Sequence, residues 1–191
     1  MELLKQRIRT EGKVLPGNII KVDGFLNHRV DCAFLGQIAD AFAEIFDISK
    51  VDVILTAEAS GIALAAICGL KWGKPMIFAK KAKSDNIEGG LYKSDIMSYT
   101  YGKKVTLILA KQWLPPRTHV LIIDDFMARG EAVRGLCELV GESGAYLEGI
   151  GIAVEKGFQG GGDRLRETGL NYHALAVIDS VEEGNIVFRE D

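Results

Sequence analysis

Two carboxylates, Asp124 and Asp125, close an apolar run in VLIIDDFMARGEA, Val120 to Ala132. The run reads as a buried strand, and a pair of acids at its exit is costly to desolvate unless a partner meets it. A ligand with several hydroxyls, or a cation, suits them. Beyond the pair, a loop of small residues bends at Gly130 and opens a helix. Backbone N–H groups at such a helix start form an anion site, best suited to phosphate. One segment thus offers acceptors for hydroxyls and donors for a phosphate, in the spacing of a ribose 5-phosphate. The plainer alternative is an acidic pair that caps the helix, although a cap needs one acidic residue and not two.

Other chemistry is poorly supplied. Cys32, Cys68 and Cys137 form no CxxC pair and sit in apolar stretches, so buried thiols are expected, with neither a disulfide framework nor zinc. His28, His119 and His173 show no HxxxH spacing, and no protein-held transition metal is expected. GLKWGKP is too short between its glycines for a nucleotide-type phosphate loop. GIGIAV lacks the third glycine of a dinucleotide fingerprint, and there is no GxSxG nucleophile elbow.

The acid pair needs a frame around it. Strand candidates are Val51 to Thr56, Pro75 to Ala79, Val105 to Ala110, His119 to Asp125, Leu147 to Glu155 and YHALAVIDSV. A short amphipathic helix covers Leu3 to Arg9, and VLPGNIIKVDGFLNH after it is too turn-rich for a regular helix. Helical spacing continues through Phe34, Leu35, Ile38, Phe42, Ile45 and Phe46. EASGIALAAICGL reads as a turn into a packed helix, a further helix runs from about Gly130 to Val140, and GGGDRLRETG supplies a turn and a short helix. Strands alternating with helices mean a parallel sheet with crossover helices on both faces. Ligands bind where the carboxyl ends of such strands meet their loops. That rule points to Glu58 to Gly61, Lys80 onward, Asp124 to Ala132, and Glu155 to Gly157. The polar segment Lys80 to Lys104 is long for a compact domain, as active-site covers are, and is expected to hold a hairpin with YTYG in one arm.

The chain has 191 residues, 48% hydrophobic and 26% charged, near globular averages, which excludes disorder as the main state. At roughly 150 residues per domain, one domain over 1–191 is expected. No apolar run approaches the ~20 residues of a membrane span. MELLKQRIRTEG lacks the apolar core of a signal peptide, so a cytoplasmic protein with no membrane partner is expected. Lys+Arg number 23 against 26 Asp+Glu, a net charge of −3, with a pI near 5.7, which argues against a nucleic-acid surface.

The strand, its two acids and the small loop around a glycine resemble the signature of the type I phosphoribosyltransferases. KVDGFLNH, the TAEASGIA loop, VLIIDDF, GIGIAVEKGFQ and the tail SVEEG follow the order of the bacterial xanthine phosphoribosyltransferases and together cover nearly the whole chain. The resemblance implies an α/β fold of the type I phosphoribosyltransferase kind, with a mostly parallel central sheet flanked by helices. It adds a small N-terminal hood from residues 1–30, a flexible loop, and residues from about 155 to 191 near the base site. The implied reaction moves the 5-phosphoribosyl group of phosphoribosyl pyrophosphate to xanthine and releases pyrophosphate. Asp124 and Asp125 would contact the ribose hydroxyls, and Ala128, Arg129, Gly130, Glu131 and Ala132 would cradle the 5-phosphate. Ile20, Asn27 and Lys156 would contact the base. Asn27 offers both a donor and an acceptor, and a buried ammonium beside a purine carbonyl favours oxopurines over adenine. Each also has a plainer reading: Lys156 as a solvated strand-end lysine, Asn27 as a turn residue, Ile20 as core. The glycine-rich GFQGGGD is open between a loop near the base pocket and a plain turn.

The resemblance further implies that Glu58, Ala59, Ser60 and Gly61 turn backbone donors toward pyrophosphate. Lys81, with Lys80, would add positive charge as the loop closes. Magnesium would be bound mainly through the oxygens of phosphoribosyl pyrophosphate rather than by protein ligands. A homodimer is expected from the family and from the prevalence of twofold oligomers. Arg129 and Glu131 depart from the family's pattern of a small or amide residue and a neutral one. Arg129 adds a charged contact to phosphate; Glu131 is open between pointing outward, pairing with Arg129 and favouring the helix N-terminus. The alternative functions are transfer to guanine or hypoxanthine, and a regulator that senses phosphoribosyl pyrophosphate.

Overall fold

The computed structural model describes residues 1–17, 19–81, 90–98, 103–182 and 185–190. In chain order its elements are α1 (Glu2–Glu11), β1 (Lys13–Leu15), β2 (Ile19–Lys21), α2 (Cys32–Ile45), β3 (Val53–Ala57), α3 (Gly61–Trp72), β4 (Met76–Ala79), β5 (Leu91–Ser98), β6 (Lys103–Ala110), β7 (His119–Met127), α4 (Glu131–Ser143), β8 (Tyr146–Lys156), α5 (Gly161–Glu167), β9 (Tyr172–Glu182) and β10 (Asn185–Phe188).

β-Branched and aliphatic runs fill both sides of the central strands, so these strands need cover on both faces. All five residues of β3 are buried, as are Val120 to Asp125 of β7. The sheet has the order β10-β9-β8-β7-β3-β4. Strands β4, β3, β7, β8 and β9 run parallel, and β10 returns antiparallel along β9. Helices α1, α2 and α3 pack on one face; α4 and the β5–β6 ribbon cover the other. No helix of the described residues is long and apolar enough to cross a membrane.

The strand expected at Val105 to Ala110 exists but lies outside this sheet. It belongs to β6, paired antiparallel with β5 and tied to the sheet by a bridge between Lys80 and Ile108. The reason is periodicity: Tyr92, Ser94 and Ile96 of β5 are buried while Lys93 and Asp95 are exposed, the alternation of a ribbon with one covered side. The expected hairpin is therefore present, while YTYG lies outside the described residues. Strand β10 was not anticipated; its short alternating pattern is that of an edge.

After α1 the N-terminal segment forms the β1–β2 ribbon, in which Val14 faces Ile20, and continues through a π-helical turn at Asp23–Asn27. Phe25 and Leu26 are fully buried and anchor it. The Arg7 guanidinium lies 4.9 Å from the Phe25 ring centre and 4.4 Å from that of Phe34, and pairs with Asp31 at 2.8 Å. Asp31 in turn caps α2 by accepting the Phe34 N–H at 3.1 Å. One cation thus fastens α1 to the turn and to the start of α2.

The cysteines divide. Burial pushes the Cys68 thiol of α3 up to about 12 and that of the partly buried Cys137, in α4, up to about 11. Cys32, expected to be buried, is exposed: it opens α2, and Phe34 and Leu35 occupy the core-facing side of that turn.

Candidate active site

β3 and β7 lie side by side, and the chain leaves their carboxyl ends toward opposite faces, into α3 and α4 respectively. A crevice opens at such a switch point. Asp124 and Asp125 stand there, 6% and 1% exposed. Asp125 Oδ2 accepts the Asn27 side-chain N–H at 2.9 Å, and its Oδ1 accepts the Ser60 hydroxyl at 2.8 Å. Asp124 Oδ1 accepts the backbone N–H of Asp125 at 3.0 Å. Burial first, and the charge of Asp125 second, push the Asp124 carboxyl well above the usual carboxylate range, with the charge of Lys81 opposing them.

The turn after β3 approaches this pair closely. A Cβ on Gly61 would stand 2.2 Å from Asp124 Oδ1 and 2.2 Å from Thr56 Oγ1, so α3 starts here because residue 61 has no side chain. Thr56 Oγ1 is buried without a hydrogen-bond partner among the described residues. Ser60 precedes α3 but does not cap it, since its hydroxyl is directed to Asp125. The Glu58 carboxylate accepts the backbone N–H of Lys81 and ties the turn to that residue.

Past the acids, β7 continues to Met127, and Gly130 with φ of 80° swings the chain into α4. A pocket of about 170 Å³ opens against Lys81, Ile96, Met97 and the stretch Phe126 to Val133. Glu131 is turned toward the ribbon: its carboxylate accepts Arg134 at 3.1 Å and the Met97 N–H at 3.3 Å, and Arg134 holds it below the usual carboxylate range. Phe126 also lines a second pocket of about 210 Å³, with Ile20 to Asp23, Asn27 and Lys156. The Lys156 ammonium sits 5.2 Å over the Phe126 ring, and burial pulls it below the ordinary lysine range. A larger groove of about 870 Å³ runs between β4 and β6, but no carboxylate among the described residues lines it. Chemistry, not size, selects the crevice. Among the described residues no three His, Cys, Asp or Glu side chains converge as a metal cage.

Comparison with known proteins fits this arrangement. No family model matches the sequence. The xanthine phosphoribosyltransferase of Lachnoclostridium phytofermentans is 49% identical, spanning 100% of this chain and 100% of that protein. That of Bifidobacterium adolescentis is 48% identical over 99% of this chain and 100% of its own length. The chain belongs to the xanthine phosphoribosyltransferase family. Among solved structures, adenine phosphoribosyltransferase of Saccharomyces cerevisiae has a TM-score of 0.74 at 21% identity, covering 92% of this chain and 99% of that one. The enzyme of Leishmania tarentolae gives 0.75 at 20%, covering 95% and 90%. The fold is that of the type I phosphoribosyltransferases.

In this chain the candidate residues gather in three groups. Asn27, Ser60 and Asp125 are joined by hydrogen bonds, with Gly61 pressed against Asp124. Lys81 lines one pocket with Ala128, Arg129, Gly130, Glu131 and Ala132; Ile20 and Lys156 line the other with Asn27. Phe126, not singled out from sequence, walls both pockets, and the available signal was an aromatic directly after the acids. GFQGGGD contributes nothing to the lining of the pocket beside Lys156; Gly161 packs instead against the backbone of the Ala128–Gly130 loop.

Proposed function

We propose that the chain transfers the 5-phosphoribosyl group of phosphoribosyl pyrophosphate to a ring nitrogen of xanthine, forming xanthosine 5'-monophosphate and pyrophosphate. The observation that carries this reading is a buried acid pair that precedes Phe126, which lines both pockets, with Asp125 bonded to Asn27 of the second pocket. The 5-phosphate occupies the Ala128–Ala132 side, where backbone N–H groups open α4. The base occupies the Ile20, Asn27 and Lys156 side, under a hood made by residues 1–30, with Lys156 as the lining residue from the segment that starts at about 155. Asp124 and Asp125 accept the ribose hydroxyls between them.

In the reaction the bond from the anomeric carbon to the pyrophosphate oxygen breaks and a bond to the base nitrogen forms. The base releases its ring proton to water, and the electron pair of the broken bond leaves on pyrophosphate. The centre gains cationic character, so catalysis is chiefly alignment plus stabilisation of the leaving group. The Asp125 contacts with Asn27 and Ser60 fix one ribose acceptor in advance. Glu58 to Gly61 and Lys81 face the pyrophosphate, and the Lys156 ammonium meets an oxopurine carbonyl. The acids offer hard oxygens beside a metal carried in on the substrate, which fits magnesium held mainly by phosphoribosyl pyrophosphate; the ion would neutralise leaving-group charge. The protein is read as a cytoplasmic homodimer, a state that sedimentation of the purified chain tests.

The test of the function is pyrophosphate release from phosphoribosyl pyrophosphate and magnesium, with xanthine, guanine, hypoxanthine and adenine compared side by side. Fastest turnover with xanthine is expected. Preference for guanine or hypoxanthine would move the assignment to another oxopurine. Binding of phosphoribosyl pyrophosphate without turnover of any base would make the chain a sensor.

A further inference from the structure

What meets the carbonyls of Ala128 and Arg129 sets the orientation of the peptide units they belong to. Two residues from the glycine-rich segment after β8 do so. The Arg164 guanidinium donates to the Arg129 carbonyl at 2.8 Å. Gly161 lies flat against the loop: a Cβ there would stand 2.4 Å from the Ala128 carbonyl oxygen and 2.9 Å from the Gly130 nitrogen, both backbone atoms that cannot swing away.

The support is itself braced. A Cβ on Gly162 would fall 2.0 Å from a carboxylate oxygen of Glu155, which is fully buried. Glu155 accepts Arg166 at 2.6 Å and 3.0 Å and the Tyr172 hydroxyl at 2.6 Å. Asp163, on the same helix, pairs with Arg189 at 2.7 Å. The turn into α5 is therefore pinned to β8, β9 and the segment after β10 before it touches the loop.

A trans peptide unit is planar, with its C=O and N–H pointing opposite ways. Holding the Arg129 carbonyl on Arg164 therefore aims the Gly130 N–H away from Arg164. The Ala128 carbonyl against Gly161 does the same for the Arg129 N–H. A charged donor on the carbonyl also polarises the peptide and strengthens its N–H as a donor. We propose that Arg164 is a positioning residue for phosphoribosyl transfer, acting with Gly161 through the backbone of the Ala128–Gly130 loop to align its N–H groups on the 5-phosphate. The inference rests on the assignment of that loop to the 5-phosphate.

Arg164 is exposed, so its replacement removes little packing. Arg164→Met is expected to raise the KM for phosphoribosyl pyrophosphate about tenfold, the effect of losing one charge-assisted hydrogen bond. The KM for xanthine and the melting temperature should stay near wild type. Arg164→Lys, which keeps a cationic donor, should recover most of the loss. By calorimetry, Arg164→Met should weaken binding of ribose 5-phosphate and leave that of pyrophosphate unchanged. The Gly130 amide ¹⁵N resonance should move in the unliganded variant, because its peptide unit has lost the bond to the carbonyl. Gly161→Ala should act in the same direction and more strongly; if it does not fold, the Arg164 variants carry the test. Wild-type ribose 5-phosphate binding in Arg164→Met, or equal loss for both phosphate ligands, overturns the inference while leaving the loop assignment intact. Absence of ribose 5-phosphate binding by the wild-type protein overturns the loop assignment and the inference with it.

Discussion

Asp124 and Asp125 and the loop from Ala128 to Ala132 follow one another along β7, yet they are held by opposite means. The acids work through their side chains: those of Asn27 and Ser60 bond Asp125, and the bare backbone of Gly61 closes on Asp124. The loop works through its backbone and is fixed from behind by residues more than thirty positions later in the chain. The acids stand in a dry place where a lost partner leaves a buried charge uncompensated. The loop opens to solvent, and what it loses in a variant is alignment. The first region should therefore respond to substitution in turnover and the second in affinity for the phosphate end.

The strongest way to break this contrast is Asp124→Asn with Asp125→Asn. Two charge-assisted contacts, each worth roughly 1.5–3 kcal/mol, should lower kcat/KM by about a hundredfold or more. Near wild-type turnover would end the ribose assignment. Gly61→Ala tests the packing that holds Asp124, since its Cβ would need the space of Asp124 Oδ1 and Thr56 Oγ1. A stability loss of about 1–3 kcal/mol and a roughly tenfold drop in kcat/KM are expected. Gly141→Ala is the control: nothing lies within 4 Å of a Cβ in that part of α4, and chemical denaturation should show a gain of about 0.5–1 kcal/mol.

Lys156→Ala sharpens the division between base and donor. The KM for xanthine should rise roughly tenfold, as for one lost charged hydrogen bond, with that for phosphoribosyl pyrophosphate nearly constant. Equal damage to both would make the lysine structural.

The smallest effect expected is a gain in stability. The folded Asp124 carboxyl binds its proton more tightly than the unfolded one, whose pKa is about 3.9. Below that pH both states hold the proton and nothing is lost. As pH rises above it, the unfolded chain ionises first, and stability falls until the folded pKa is passed. Asp124→Asn removes this loss, so its melting temperature should exceed wild type at pH 7, by about 2–4 °C for each kcal/mol regained, and match it near pH 3. A constant offset across pH would remove the titration from the explanation.

Much of the acid side was legible because its information is local. A strand that ends in two carboxylates announces itself within a few residues, and β3, β7 and β8 carry apolar runs that need cover on both faces. The hydroxyl of Ser60 was not legible, since a serine before a helix reads as a cap and only the fold brings it to Asp125. Glu131 had three open readings, none of which anticipated the Met97 N–H of the ribbon that its carboxylate accepts together with Arg134. The ribbon was misplaced because β6 alone looks like a sheet strand; its partner β5 carries the alternation that excludes it. Gly161 and Arg164 could not be found by periodicity, because what they touch is backbone, which leaves no residue-type signal at the contact.

The unequal burial of the cysteines turns the native protein into its own pair of reporters. Cys32 is open to reagent, whereas Cys68 sits in α3 on one face of the sheet and Cys137 in α4 on the other. A thiol-modifying dye should label the first fastest, the partly buried Cys137 more slowly, and Cys68 only when its face opens. The rate for Cys68 would then time how often the layer holding α3 lifts from the sheet, without any engineered label.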